Sequence, residues 1–324
     1  MRILFFAYGK GCDYQGTLLL HGLYQIKDLE VFIQEDVPWL FTDYEGDIKK
    51  LYGKGVNITK LVDPSRRRIH TKAEIENGLK SHWYDLVIYG STWIQTPMLD
   101  LTLKYYKKNE IFFIDGADED FGLRKNYISL NGLFDPMLPI WYIPVKQRKR
   151  ALDLSSKGTY FKREISDKYK RFFIPISFAY PEQLFCDEKS LLEKHLMMAT
   201  IYPGRTETYI YEDAESYNKG YQEARFGTTF KKAGWDCYRH YEILANGCIP
   251  YFPNIEKCPD KTMFLFPKNI IKITNDLYVK WKEEGFEDSS EQVYEYYQRL
   301  LYKYAKLFLT TKSLAEYVIG FWEE

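Results

Sequence analysis

No apolar run in this sequence reaches the ~18 residues that a membrane-crossing helix needs, so nothing in it reads as a membrane span. Net charge is also missing. The 45 basic and 45 acidic side chains cancel, which removes the broad basic footprint of a general nucleic-acid binder. The five cysteines, Cys12, Cys186, Cys237, Cys248 and Cys258, are scattered and odd in number, and no pair has CxxC spacing. That excludes a disulfide framework and a thiolate zinc site. His21, His70, His82 and His195 share no metal-ligand spacing. With no GxSxG and no Walker pattern, hydrolase and kinase readings have no residue support. The opening Met1 to Tyr8 run is shorter than a signal-peptide core and has no small-residue cleavage site, so the expected location is the cytoplasm.

What is present suits a folded enzyme of two domains. The 324 residues exceed one ordinary core. Hydrophobic residues at 45% and charged residues at 28% are globular values that argue against disorder. The 29 tyrosines offer ring and hydroxyl together, which suits clefts that stack on bases or sugars.

The first half repeats short apolar strand, polar loop, helix. Ile3 to Ala7 is a strand without alternation, as expected when both faces are covered. A glycine-containing loop over 9–16 leads into a helix over 17–27, with Leu19, Leu20, Leu23 and Ile26 on one side. Further strands are expected at 30–34, 85–89 and 111–114. Alternating strands and helices predict a parallel sheet of Rossmann type, with ligands beyond the carboxyl ends of the strands. Residues 9–16, 90–93 and 115–120 then share one rim. Pro136, Pro139 and Pro144 break any long element. Residues 160–164 read as strand or short helix and 172–176 as extended, and the domain boundary falls near 182. The second half repeats the pattern: strands at 197–202, 226–230 and 248–252, helices at 215–223 and 237–246, and a helical segment over 291–324 whose Val293, Tyr296, Leu300, Tyr304 and Leu307 recur at helical steps.

The densest signal runs from Lys231 to Pro250. It reads as strand, tight loop, helix, glycine stop, strand. Asp236 is placed to cap the helix, and Gly247 to supply the left-handed turn that ends it. A helix that begins at a strand's carboxyl end aims its amides at the cleft and makes an anion site. Arg239 in the first turn adds a bidentate phosphate donor. Glu242, three residues on, is a carboxylate for ribose hydroxyls. By spacing alone, Arg239 and Glu242 serve equally well as an i,i+3 ion pair. His240 touches a phosphate or is a packed core histidine.

This stretch resembles the C-domain signature of GT-B glycosyltransferases, especially the exostosin-like group, with Gly234, Arg239, Glu242, Gly247 and Pro250 at matching positions. Asp13-Tyr14 through His21-Gly22-Leu23, Ile114-Asp115-Gly116 and 160–164 resemble bacterial and viral members. The resemblance implies that Glu242 holds the donor ribose and that Arg239 faces the diphosphate. Many retaining members carry two glutamates bracketing seven residues; here Gly234 stands where the first would be.

The expectation is therefore an α/β chain of two Rossmann-like lobes facing across a cleft, with C-terminal helices. Residues 1–182 form an acceptor-side domain, 183–290 a nucleotide-sugar domain, and 291–324 helices that pack back on the first lobe. The donor, a UDP- or GDP-sugar, is met by Lys231, Gly234, Trp235, Asp236, Arg239, His240 and Glu242. Asp13, Asp115 and Asp118 are the candidates for the base that deprotonates an acceptor hydroxyl. Asp118-Glu119-Asp120 also has the DxD form of a GT-A metal site, but a GT-B enzyme needs no metal, and none is expected. A glycan acceptor is the first reading. The alternatives are a nucleic-acid acceptor served by Arg66–Arg68 or Lys146–Arg150, runs that otherwise read as solvated linkers, and a non-catalytic nucleotide- or glycan-binding module.

Overall fold

The computed structural model describes residues 1–11, 13–48, 51, 57–120, 142–192 and 194–323. Cys12, Pro136 and Pro139 lie outside them. Six parallel strands form the first sheet: β1 (Arg2–Phe6), β2 (Glu30–Ile33), β3 (Leu86–Tyr89), β4 (Ile111–Asp115), β5 (Thr159–Lys162) and β6 (Ile174–Pro175), in the order β2-β1-β3-β4-β5-β6. Every residue of β3 and β4 is buried, which is why these strands show no alternation. Phe112 and Phe113 are fully covered, each worth roughly 2–3 kcal/mol in area removed from water. Helices α1 (Tyr14–Gln25), α2 (Lys72–Lys80), α3 (Leu99–Tyr105) and α4 (Tyr142–Lys157) join the strands. Helix α2 starts where it does because Thr71 and Glu74 form a reciprocal capping box.

The second sheet is smaller: β7 (Leu196–Met198), β8 (Ala224–Thr228) and β9 (Ile249–Tyr251), all parallel, in sequence order. It carries α5 (Ala214–Gln222), α6 (Tyr238–Ala245) and α7 (Lys268–Glu284). The chain crosses to this lobe near Tyr180 and returns near Thr310. The two crossings are tied together by Tyr180 N donating to Leu309 O and Thr311 N to Tyr180 O. Two parallel α/β lobes meeting at the carboxyl ends of their strands, with a final helix returning to the first lobe, make a GT-B fold.

Several expectations need correction. Residues 291–324 are two helices with different allegiances. Helix α8 (Asp288–Phe308) stays with the second lobe, where Tyr294, Leu301 and Ala305 pack with Phe226 and Tyr241. Only α9 (Thr311–Glu323) returns, burying Leu314, Ala315 and Val318 among Phe5, Leu19 and Leu23. Its approach to α1 needs Gly22, since a Cβ there would collide with the Thr311 carbonyl. Of residues 160–164, read as strand or short helix, 160–162 take the strand alternative as part of β5 and 163–164 lie beyond it. Pro144 does not break an element; it sits in the first turn of α4, where a missing N–H costs nothing. Lys146–Arg150 is therefore helix rather than linker. Helix α7 was not legible as an element.

Candidate functional site

The order β2-β1-β3-β4-β5 reverses between β1 and β3, and open α/β sheets bind ligands at such a point. Asp13 follows β1 there, and Ser91 follows β3. Ser91 Oγ donates to Asp13 Oδ2 at 2.5 Å. Asp13 is buried, and burial pushes its carboxyl up to about 6, with the Ser91 hydrogen bond and the Arg163 charge working against that rise. Gly16 and Gly116 keep its surroundings open: a Cβ on Gly16 would come 3.0 Å from Asp13 Oδ2, and one on Gly116 3.5 Å from Oδ1. Asp13, Tyr8, Thr17, Val37 and Ser91 line a small pocket at this rim.

The other two candidate bases are differently placed. Asp115, only 2% exposed, accepts from Tyr160 Oη at 2.8 Å and from the fully buried Lys162 Nζ at 3.1 Å on Oδ2, and from Ala117 N on Oδ1. Both its oxygens are spent inside the lobe. Asp118 is exposed and held by the Arg163 guanidinium. A carboxylate engaged by arginine is a poor metal ligand, and among the described residues no group of three or more His, Cys, Asp or Glu side chains is placed to hold a metal ion.

Arg163 and Glu164 form the junction of the lobes. They follow β5 directly, a charged pair behind an apolar strand. Arg163 Nε and Nη2 donate to Gly116 O, Nη1 donates to Asp236 O at 2.5 Å, and the guanidinium stacks 4.5 Å from the Phe178 ring centre. Glu164 Oε1 accepts from Asp236 N at 2.8 Å. Asp236, buried and pushed up to about 6 by its desolvation, accepts from Phe178 N and Tyr241 Oη. Asp236 was expected to cap α6. Instead Cys237 is the cap residue, with no side-chain cap hydrogen bond, while Asp236 straps the second lobe to the first. Sequence reasoning gave no role to Arg163 and Glu164, although a Lys-Arg-Glu run at a strand's carboxyl end is a readable sign of a rim.

Helix α6 and the loop that leads into it carry the remaining candidates. His240 is completely buried. Its Nε2 donates to the Trp235 carbonyl at 2.9 Å, so Nδ1 is the acceptor for Thr229 Oγ1 at 2.9 Å. Burial holds the imidazole down to about 3. It is a packed core histidine that pins the 235 loop, not a phosphate contact. Lys231 Nζ stands 5.0 Å over the Trp235 ring at the cleft edge. Gly234 abuts Glu164 and Asp118. Gly247 has φ +62°, the left-handed stop expected of it.

Arg239 and Glu242 do not pair with each other. Glu242 is buried, its carboxyl raised by desolvation, and it accepts from Tyr217 Oη at 2.6 Å and from Asn57 Nδ2 of the first lobe at 2.8 Å. Arg239 is left over. Its Nε is buried without a hydrogen-bond partner, and its Cζ stands 5.7 Å from the Tyr209 ring centre. The result is a half-buried cation at the head of a helix, next to a buried carboxylate one turn on and within an aromatic wall of Tyr209, Tyr217 and Tyr221. Neither Asn57 nor the tyrosines carried a sequence signal, because isolated polar residues in loops and on α5 have no pattern.

Of the two basic runs, the first is largely paired, while the second, among the described residues, bonds only neutral hydroxyls and keeps its charge. Arg67 pairs with Asp43 at 2.5 Å, Arg68 with Glu30 at 2.8 Å, and Arg66 reaches the carbonyls of Ile26 and Leu29. On α4, Arg148 donates to Tyr169 Oη and Arg150 to Thr96 Oγ1. The four described cysteines are free thiols, and no described helix is long and apolar enough to cross a membrane.

No protein family and no curated protein sequence matches this chain. Among solved structures, it is similar to an alpha-glucosyltransferase in complex with UDP and a 13-mer DNA containing a central A:G mismatch, with 12% identity over 100% of both chains and a TM-score of 0.48. It is also similar to Anabaena Alr3699/HepE in complex with UDP-glucose, with 9% identity over 99% of this chain and 98% of that one and a TM-score of 0.49. Likenesses this distant leave the chemistry to be argued from the site's own geometry.

Proposed function

We propose that this chain is a glycosyltransferase that moves a sugar from a nucleoside-diphosphate sugar, UDP- or GDP-linked, to a hydroxyl of a glycan acceptor without a metal. The observation that carries the reading is Arg239. A buried guanidinium nitrogen without a partner is costly, and the cost is met when an anion arrives. A diphosphate fits the place, since arginine takes phosphate oxygens in bidentate form. The amides ahead of α6 contribute less than a bare helix N-terminus, because the Glu164 carboxylate already takes the N–H of Asp236. Arg239 therefore does most of the work on the charge that grows as the sugar–diphosphate bond breaks.

Glu242 then receives the ribose hydroxyls, which take over from the Asn57 amide, while Tyr209 and Lys231 border the nucleotide. On the facing lobe, Asp13 accepts the acceptor's proton as the hydroxyl oxygen attacks the anomeric carbon. A carboxyl titrating near 6 is ionised at neutral pH yet basic enough to hold the proton. Asp115 and Asp118 are assigned to structure: Asp115 neutralises Lys162, and Asp118 holds Arg163. For a nucleic-acid acceptor, Arg67 and Arg68 are already paired with Asp43 and Glu30, which leaves Lys146–Arg150 as the basic run to serve it; a steep salt dependence of DNA binding would favour that reading. The direct test is calorimetric titration of UDP and GDP, followed by donor turnover against glycan acceptors. Donor binding without turnover on any acceptor would favour a non-catalytic binding module instead.

A further inference from the structure

Helix α8 has two apolar faces and only one is covered. Tyr294, Leu301 and Ala305 are buried in the second lobe, and Gln298 Nε2 donates to the carbonyls of Leu191 and Gly247 at 2.9 and 2.8 Å, fixing the helix behind α6. The outer face presents Val293, Tyr296, Leu300 and Leu307, which are 40%, 63%, 39% and 66% exposed. With Lys303 between the last two, these residues recur at steps of three, four, three and four. That is the seam of a coiled coil rather than the single stripe of a surface helix. A contiguous exposed apolar row marks an association surface.

Charge selects the occupant. Glu295 and Arg299 lie one turn apart on one flank of the seam. Residues at this spacing usually pair within the helix, as Lys219–Glu223 and Lys280–Glu284 do here at 3.8 and 3.7 Å. Among the described residues, neither Glu295 nor Arg299 makes an ion pair. We propose that α8 is a self-association helix, docking a second copy of this chain antiparallel about a two-fold axis between Tyr296 and Leu300. Tyr296 of each copy then packs on Leu300 of the other. Val293 meets the aliphatic stem of Lys303, and each Glu295 meets the Arg299 of the other copy. A parallel arrangement would set Lys303 on Lys303 in the seam and put Glu295 and Arg299 of the two copies on opposite sides of it. The surface is thus self-complementary, as an isologous two-fold contact requires. It lies behind α6, on the side away from the cleft, so both sites stay open. One helix pair of this length buries less than the ~1,200 Å² of a standard interface, so the dimer is weak, with a dissociation constant on the order of micromolar to tens of micromolar.

The test is sedimentation equilibrium of the full chain up to about 200 µM, well above that constant. The expected result is a monomer–dimer equilibrium that Leu300→Glu weakens at least about tenfold, with melting temperature and circular dichroism unchanged because the site is exposed. Arg299→Glu alone should also weaken the dimer, and Glu295→Arg combined with Arg299→Glu should restore it. A wild-type chain that stays monomeric throughout, a dimer indifferent to Leu300→Glu, or a double swap that fails to restore association would each overturn the proposal. So would a monomer that binds anionic lipid vesicles through α8, which would give the seam to a membrane surface.

Discussion

Glu164 occupies the space that a side chain on Gly234 would need. A Cβ at Gly234 would stand 2.5 Å from Glu164 Oε1, and the same oxygen accepts the Asp236 amide at 2.8 Å. The first lobe thus delivers a carboxylate to the point in the second lobe where the glycine leaves room for it. Gly234→Ala should displace Glu164 and loosen the junction, at about 1–3 kcal/mol for an overpacked site. Thermal unfolding should show a drop of several degrees. An unchanged melting temperature would mean that Glu164 swings aside freely and that the junction does not depend on it.

Asp13 and Asp115 should separate by phenotype. Asp13→Asn should bind donor normally and lose turnover by about 10²-fold or more. Because the base must be ionised, wild-type turnover should rise with pH through about 6, the value to which burial raises Asp13. Asp115→Asn removes the carboxylate that pairs with the buried Lys162, so it should lower stability first, by an amount on the order of 3 kcal/mol. Normal turnover in Asp13→Asn, measured beside donor affinity, would move the base elsewhere.

His240 gives a pH-dependent stability. Its folded value is held near 3 against 6.5 for a free imidazole. Between those limits the unfolded chain binds a proton that the folded chain does not, so stability rises with pH across this window and is lost as pH falls through it. His240→Gln removes that dependence. The gap in melting temperature between wild type and variant should therefore narrow from pH 7 toward pH 4. A constant gap would mean that the imidazole is not held neutral.

Much of the scaffold was legible. Ile3, Leu86 and Ile111 belong to apolar runs that only covered parallel strands explain, and Gly247 marked its own turn. The head of α6 was legible as a site, but its wiring was not. Asp236 looked like a cap because capping chemistry is local. In the fold, the nearby Phe178 amide and Tyr241 hydroxyl, brought by another lobe and a later turn, compete for the same carboxylate. Asp115 looked catalytic because it ends a strand at the rim, and only the pairing of β4 with β5 reveals Lys162 beside it. Contacts between residues far apart in sequence, such as Asn57 with Glu242, carry no sequence period and so leave no trace to read.

Metal dependence provides a separate check. With Asp118 held by Arg163 and the diphosphate assigned to Arg239, donor binding and turnover should survive EDTA. Loss of activity restored by Mn²⁺ would make Asp118 and Asp120 ligands and reassign the diphosphate to a cation.

The most direct measurement is calorimetric titration of UDP and GDP into the wild type, Arg239→Ala and Glu242→Ala, with melting temperatures taken alongside. Removing a charge-assisted phosphate partner is worth roughly 1.5–3 kcal/mol, so Arg239→Ala should weaken nucleotide binding about ten- to a hundredfold while remaining folded. Glu242→Gln should lose less affinity than Glu242→Ala, because the amide oxygen still accepts a hydrogen bond. Wild-type affinity retained in both alanine variants, with stability alone reduced, would contradict the donor site and the glycosyltransferase reading that rests on it.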